Sequence, residues 1–153
     1  MTKEIITPIM AIDYENMLLE HPVFPLENWN SFEVTHGGSR VDSIQYEIMI
    51  EKLQHSSSEK KPEGLYAYKK DGKLLYIGKG KPLLNRLKSH YRESLKQQKE
   101  PTRAKRWYDF FSKHSGQITI YWIEVEGEST RMILEILLHK YYKPAFNKIE
   151  PTK

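Results

Sequence analysis

Around Glu135 the sequence reads Met132-Ile133-Leu134-Glu135-Ile136-Leu137-Leu138, one carboxylate with apolar residues on every side. Such a stretch predicts a largely buried helix, and a buried carboxylate is costly unless it is paired or bound to a cation. Arg131, one turn earlier, offers an ordinary ion pair; the alternative is metal ligation or catalysis. Arg86 and His90 also stand one turn apart. A guanidinium suits a phosphate, and an imidazole of near-neutral pKa can hydrogen-bond or move a proton; two solvated side chains are the alternative. Gly78-Lys79-Gly80-Lys81-Pro82 is a basic, glycine-bearing loop where backbone N–H groups and lysines could approach a phosphate, although it lacks the spacing of a nucleotide-binding P-loop. Tyr66 and Tyr76 could be simple cross-strand aromatics. His21, His36, His55, His114 and His139 are scattered without metal-ligand spacing, which assigns them no role.

The elements that must position these groups follow from local pattern. Gly64 to Lys69 and Lys73 to Gly78 are short aromatic and apolar runs around Lys70-Asp71-Gly72, which predicts a hairpin. A two-residue turn would set Ala67 opposite Tyr76; a three-residue loop, the favoured register, sets Tyr66 opposite Tyr76. One residue of slip would send the two tyrosines to opposite faces. Pro82 opens a helix with Leu84, Leu87, Tyr91 and Leu95 on one face and Lys88, Arg92, Lys96 and Lys99 on another. Pro101 starts a second helix that buries Ala104, Trp107, Tyr108 and Phe111, and Ile118 to Val125 reads as a third strand. Ser129 is a reasonable cap for the last helix, which runs to about Tyr142 before Pro144.

The expected fold is α/β of the α+β type, a small three-stranded antiparallel sheet flanked by helices in the order β-β-α-α-β-α. Residues 61–153 form this domain, and residues 1–60 form an acidic, partly helical arm broken by Pro22, Pro25, Gly37 and Gly38. Within the arm Asp42 caps a helix over about 42–54, with Gln45 completing a capping-box-like pattern. The polar run Ser56 to Glu63 is the linker.

At 153 residues the chain has room for one core, and its lack of cysteine excludes disulfides, thiolate metal sites and cysteine nucleophiles. No apolar run approaches the roughly 20 residues of a membrane helix, and the start resembles no signal peptide, so an intracellular, cytoplasmic setting is expected. The net charge of +4 conceals a polarity: residues 1–63 carry −6, residues 64–114 carry +10, and the remainder is neutral. Positive charge interleaved with Tyr91, Trp107, Tyr108, Phe110 and Phe111 suits a polyanion such as nucleic acid, a solvated basic face being the alternative.

Gly64-Leu65-Tyr66 followed by Tyr76-Ile77-Gly78 resembles the signature of the GIY-YIG nuclease superfamily, with Leu for the middle Ile. Downstream the match continues through Arg86, His90, Glu135 and Asn147, over about residues 64 to 148, and leaves the arm outside. The resemblance implies a divalent-metal-dependent DNA endonuclease with catalytic residues Tyr66, Tyr76, Lys79, Arg86, His90, Glu135 and Asn147. Glu135 would hold Mg²⁺, with Mn²⁺ as the alternative. Tyr66 would act as base or orient water, which requires a cation such as Lys79 or the metal beside it. Arg86 would bind the scissile phosphate, Tyr76 and His90 would position groups, and Asn147 would brace the site.

Lys79, Lys81, Lys88, Arg92, Lys96, Lys99, Arg103, Lys105 and Arg106 are then candidate contacts to double-stranded DNA. The arm would supply recognition or subunit contacts, and cutting both strands would call for a homodimer. With the nuclease core at the carboxyl-terminal side, the layout suggests a restriction-type, sequence-specific enzyme. A phage or repair-type nuclease of low specificity and a non-cleaving nucleic-acid-binding domain are the alternatives.

Overall fold

The computed structural model describes residues 18–38, 40–53, 61–95 and 103–146. Strands β1 (Asn30–His36), β2 (Gly64–Lys70), β3 (Lys73–Gly80) and β4 (Gly116–Glu124) form one antiparallel sheet in the order β1-β4-β2-β3. Helix α1 (Ser43–Lys52) follows β1, α2 (Leu83–Glu93) and α3 (Arg103–Lys113) lie between β3 and β4, and α4 (Glu128–Tyr142) follows β4. From residue 64 onward the order is the expected one. The sheet, however, has four strands where the sequence suggested three. The extra strand comes from the supposedly irregular arm: Phe32, Val34 and His36 point inward between exposed Ser31, Glu33 and Thr35, an alternation of period two. It pairs along its whole length with β4.

Helices cover both faces of the sheet. On one side Tyr66, Tyr68, Ile118, Ile120 and Trp122 pack with α1, α2 and α3 through Met49, Leu87, Tyr91, Trp107 and Phe111. On the other Leu65, Ala67 and Ile77 meet Leu134 and Leu138 of α4 and the segment from Leu18 to Trp29. The central strand β2 is therefore buried from Gly64 to Tyr68 without alternation.

Neither expected hairpin register is the observed one. Asp71 and Gly72 form a two-residue turn with φ of 52° and 76°, the left-handed pair of a type I′ turn, and Lys70 faces Lys73. The pairing then shifts between Tyr68 and Lys69, so that Tyr68 faces Tyr76, Ala67 faces Ile77 and Tyr66 faces Gly78. Leu75 is the extra residue of a bulge. Leu74 packs against the α4 side, Leu75 and Tyr76 both pack against the α2/α3 side, and Ile77 returns to the α4 side. Tyr66 and Tyr76 thus share a face as diagonal neighbours.

The helix ends show what holds each element. Asp42 caps α1 through Oδ1, which accepts from the Ile44 N–H at 3.0 Å. Gln45 pairs with the cap residue, its Nε2 donating to Asp42 Oδ2 at 3.3 Å, but the Asp42 N–H that a full capping box would use donates to the Tyr91 hydroxyl; Gln45 Oε1 accepts from the Thr35 N–H at 2.8 Å and ties α1 to β1. The N-cap of α4 is Gly127, with φ 93° and no side-chain bond, so Ser129 lies inside the helix and not at its start. The last residues of the expected linker are fixed, Pro62 O accepting from Leu83 N–H and Glu63 O from Val125 N–H, each at 2.9 Å, while residues 56–60 of it lie outside the described residues.

His36, 2% exposed, lies flat on Phe111 with ring centroids 4.2 Å apart. Burial lowers its pKa from 6.5 to about 3, the Val34 carbonyl pulling weakly the other way. The unfolded chain therefore binds a proton at this residue below pH 6.5 that the folded chain does not bind until about pH 3. Folding stability at this site is full above pH 6.5 and falls as pH drops, by up to about 1.4 kcal/mol per unit. Urea titrations from pH 7 to 4 should show a His36→Phe variant losing less stability with acidification than the parent; equal slopes would refute the assignment.

Candidate active site

The bulge in β3 sets the first half of the site. Tyr66 and Tyr76 stand with ring centroids 5.8 Å apart, and both lie within 6.5 Å of the His90 ring from α2. Gly78 permits this approach: a Cβ there would sit 2.7 Å from the Tyr66 phenol and from the Tyr76 ring. No other residue fits the position without displacing two aromatic rings.

His90 is 2% exposed, which overturns the picture of a solvated helix face. Its ring stacks on Trp107 of α3 at 3.8 Å, and its Nδ1 is 2.8 Å from the Tyr68 hydroxyl. Tyr68 itself is fully buried beside Tyr66, with centroids 5.4 Å apart. The sequence reading missed Tyr68, although period two from Tyr66 places it on the same face. Trp107, expected only as core, is the floor on which His90 rests.

Burial pushes the Tyr66 and Tyr68 phenols well above 10, and neighbouring phenols add to the rise. The side-chain cation that opposes it in both cases is Arg86, while Lys79, one of the two cations expected there, faces Glu135. Arg86 is exposed on α2 and lines a cavity of about 210 Å³ with Lys79, Gly80, Lys81, Glu128 and Arg131. Gly80 lies directly beneath it, since a Cβ there would be 3.2 Å from the Arg86 Cβ.

Glu135 comes to the same end of β3 from α4. Its Oε1 is 3.8 Å from Lys79 Nζ and its Oε2 is 4.0 Å from His139 Nε2, with the carboxyl side chain 17% exposed. His139, assigned no role from sequence, is also 2.9 Å from the Ile77 carbonyl. The Glu135–Arg131 ion pair, one of the two readings the sequence allows, is not the arrangement found. Arg131 is buried and bonds the Glu63 carboxylate and, at 2.9 Å, the Val125 carbonyl. Nor is α4 largely buried: Met132, Ile133 and Ile136 are about half exposed, and Leu134 and Leu138 form the packed face. The apolar run around Glu135 belongs to two faces, one in the core and one outside.

Among the described residues no group of three His, Cys, Asp or Glu side chains is arranged to hold a metal. A single partly exposed carboxylate fits a hard cation that keeps most of its waters, as Mg²⁺ does, and not one that needs a full protein cage.

The expected DNA contacts divide. Lys81 is exposed and lines the cavity beside Arg86, and Arg92 is exposed in the last turn of α2. Lys88 lies 5.3 Å over the Tyr46 ring, and Arg106 5.5 Å over Trp107. Arg103 and Lys105 lie in the first turn of α3. Asn147, Lys96 and Lys99 lie outside the described residues.

The profile of the UvrC-like GIY-YIG domain matches residues 62–148, more than half of the chain. The chain belongs to this family. It is 39% identical over 98 residues to UvrABC system protein C of Aliarcobacter butzleri, covering 63% of this chain and 15% of that protein. The counterpart from Aquifex aeolicus is 33% identical over 98 residues, 64% of this chain and 15% of its own length. The chain thus spans about 15% of the length of the curated relatives it matches. Among solved structures, the N-terminal endonuclease domain of UvrC from Thermotoga maritima, bound to magnesium as its catalytic divalent cation, is 32% identical. That likeness covers 66% of this chain and 97% of the other, with a TM-score of 0.42. The profile match bears out the GIY-YIG superfamily assignment. The restriction-type subdivision finds no support, because the relatives matched are UvrC proteins.

Arg131 joins Glu63, at the entry to β2, to the helix that carries Glu135. An Arg131→Met variant leaves the Glu63 carboxylate and the Val125 carbonyl without this donor. It should lower stability by about 2–4 kcal/mol, near the lower end of the range for a broken buried pair because Glu63 keeps some solvent. Denaturant unfolding measures this, and a loss below about 0.5 kcal/mol would show that the pair is a surface contact in energetic terms.

Proposed function

We propose that this chain is a divalent-cation-dependent endonuclease domain acting on DNA in the manner of a repair nuclease, cutting one strand per engagement. The observation that carries the reading is the convergence of Arg86, Lys79 and Glu135 at one end of β3, beside the Tyr66/Tyr76 pair. Family membership supports it, and so do relatives that are UvrC proteins.

Hydrolysis of a phosphodiester requires a positioned water, countercharge for the developing oxyanion and a stabilised departing oxygen. Arg86 is exposed and lines the cavity, so its guanidinium is available to a phosphate oxygen. Lys79 shares that cavity while facing the carboxylate, which lets it answer either charge. Tyr66 would orient the attacking water through its phenol oxygen; taking the proton itself would require cationic help of the kind Arg86 gives. Tyr76 completes the wall. His90 acts from behind by holding Tyr68 and the ring stack, a positioning role. Glu135 would hold the cation, which supplies Lewis-acid stabilisation of the phosphate and its leaving oxygen. Asn147 is retained as a candidate brace, and a homodimer is the assembly that would cut both strands.

Supercoiled plasmid incubated with the protein in Mg²⁺ should convert to nicked circles, and EDTA should abolish the reaction. Glu135→Gln and Arg86→Ala should each slow nicking by roughly 100-fold or more. Glu135→Gln should still bind DNA in a mobility-shift assay. Binding without nicking in the parent protein would point to a non-cleaving domain, and activity unchanged by EDTA would refute the metal-dependent reading.

A further inference from the structure

Away from Glu135 the described residues enclose a larger cavity of about 420 Å³. Three separate stretches of chain build it: Lys73 at the hairpin turn, Arg106, Phe110 and Lys113 along α3 with His114 just after it, and Phe146 beyond α4. The positions on α3 recur at helical spacing, so one stripe of that helix faces the space. Phe146 is pinned, its N–H donating to the Leu75 carbonyl at 2.8 Å and its ring lying 4.4 Å from Phe110. The Arg106 guanidinium sits 5.6 Å from the same ring. Asp109 is the one carboxylate in the wall.

The charge balance favours an anion. The His114 pKa is lowered by burial and then by Lys113, Lys73 and Lys70, which shows how tightly positive charge gathers there. An aromatic wall beside cations suits a planar ring that carries a phosphate, and the volume lies in the range of small-ligand sites. Bases inside a duplex are stacked and paired and cannot enter such a space, whereas an unpaired base can lie against an aromatic ring. We propose that this cavity receives one unpaired nucleotide of a nucleic-acid strand, its base against Phe146 and its phosphates near Lys73 and Lys113. Lys73 and Lys79 lie at opposite ends of β3, roughly 20 Å apart at about 3.3 Å per residue. If the nuclease reading holds, the unpaired nucleotide lies about six nucleotide steps from the cut, at about 3.4 Å per step. The preference for an unpaired nucleotide does not depend on cutting.

The test is fluorescence anisotropy with the 153-residue chain in EDTA, so that cleavage plays no part. The probes are a labelled paired duplex, the same duplex with a two-nucleotide bulge, and one whose bulge is abasic. The bulged duplex should bind about tenfold tighter than the paired one, the advantage of stacking one base on an aromatic ring. The abasic bulge should lose that advantage. Phe146→Leu, which keeps an apolar side chain, and a Lys73→Ala/Lys113→Ala double variant should each reduce the preference to about twofold or less, with thermal unfolding confirming that both remain folded. Equal affinity for paired and bulged duplexes would overturn the proposal, as would a preference that survives these substitutions or the abasic bulge. Free dTMP binding as tightly as the bulged duplex would overturn the assignment to a strand. A preference in a protein that never nicks plasmid would retire the nuclease reading and leave this one standing.

Discussion

The extra residue in β3 is the constraint on which the site depends. Without the bulge at Leu75, continuing the two-residue turn would place Tyr76 opposite Ala67, on the α4 side of the sheet. The bulge turns Tyr76 back toward Tyr66, Tyr68 and His90, while Leu74 and Ile77 still fill the opposite core. A single local irregularity therefore reconciles two demands: a tight turn whose backbone matches the strand twist, and a ring cluster on one face. Gly78 completes the device by leaving room for the phenol that lies across it.

That cluster positions groups that do not touch one another through the sheet alone. His90 stacks on Trp107 and meets Tyr68, so α2 and α3 are locked to β2 by aromatic contacts and one hydrogen bond. Arg86, one turn before His90, is exposed, yet its backbone is fixed by a helix whose far side is core. On the other face Arg131 fixes α4 to Glu63 and Val125, and Glu135 follows one turn later. Exposed Arg86 and half-buried Glu135 thus each sit one helical turn from a buried polar anchor, His90 and Arg131. The anchors hold the Cα positions of both residues, while the Arg86 side chain stays exposed to solvent and Glu135 faces Lys79 and His139.

Much of this was legible in the sequence. Two Gly-flanked aromatic runs, the Arg86/His90 spacing and the lone Glu135 point to the candidate site because their types and intervals are read along single elements. What failed depends on contacts between elements. The hairpin register needed the bulge, which has no local signature beyond an unusually apolar Leu74-Leu75. Arg131 was matched to Glu135 by helical spacing, but its real partner is 68 residues away in sequence. β1 was overlooked because its prolines and glycines flank the strand, while the strand itself alternates cleanly. The apolar run on α4 suggested full burial since sequence shows how apolar a helix is, not how many of its faces the fold covers.

The charge division along the chain becomes an edge division in the sheet. The strand order β1-β4-β2-β3 puts β1 at one edge, with Glu33 exposed on it and Glu47 and Glu51 exposed on the α1 helix that follows. The opposite edge is β3, with Lys73 and Lys79 on the strand and Lys81 just beyond it. Lysines on an edge strand also discourage pairing with another sheet, so their presence there has a purely structural use. The two uses are compatible, and their separation matters for approach. A polyanion is drawn to the β3 edge and repelled from the β1 edge, which turns the molecule before contact. Because screening limits exposed charges to about 8–10 Å at ordinary ionic strength, this steering acts in the last stage of encounter. It would deliver a phosphate backbone to the edge where Arg86, Lys79 and Glu135 already stand.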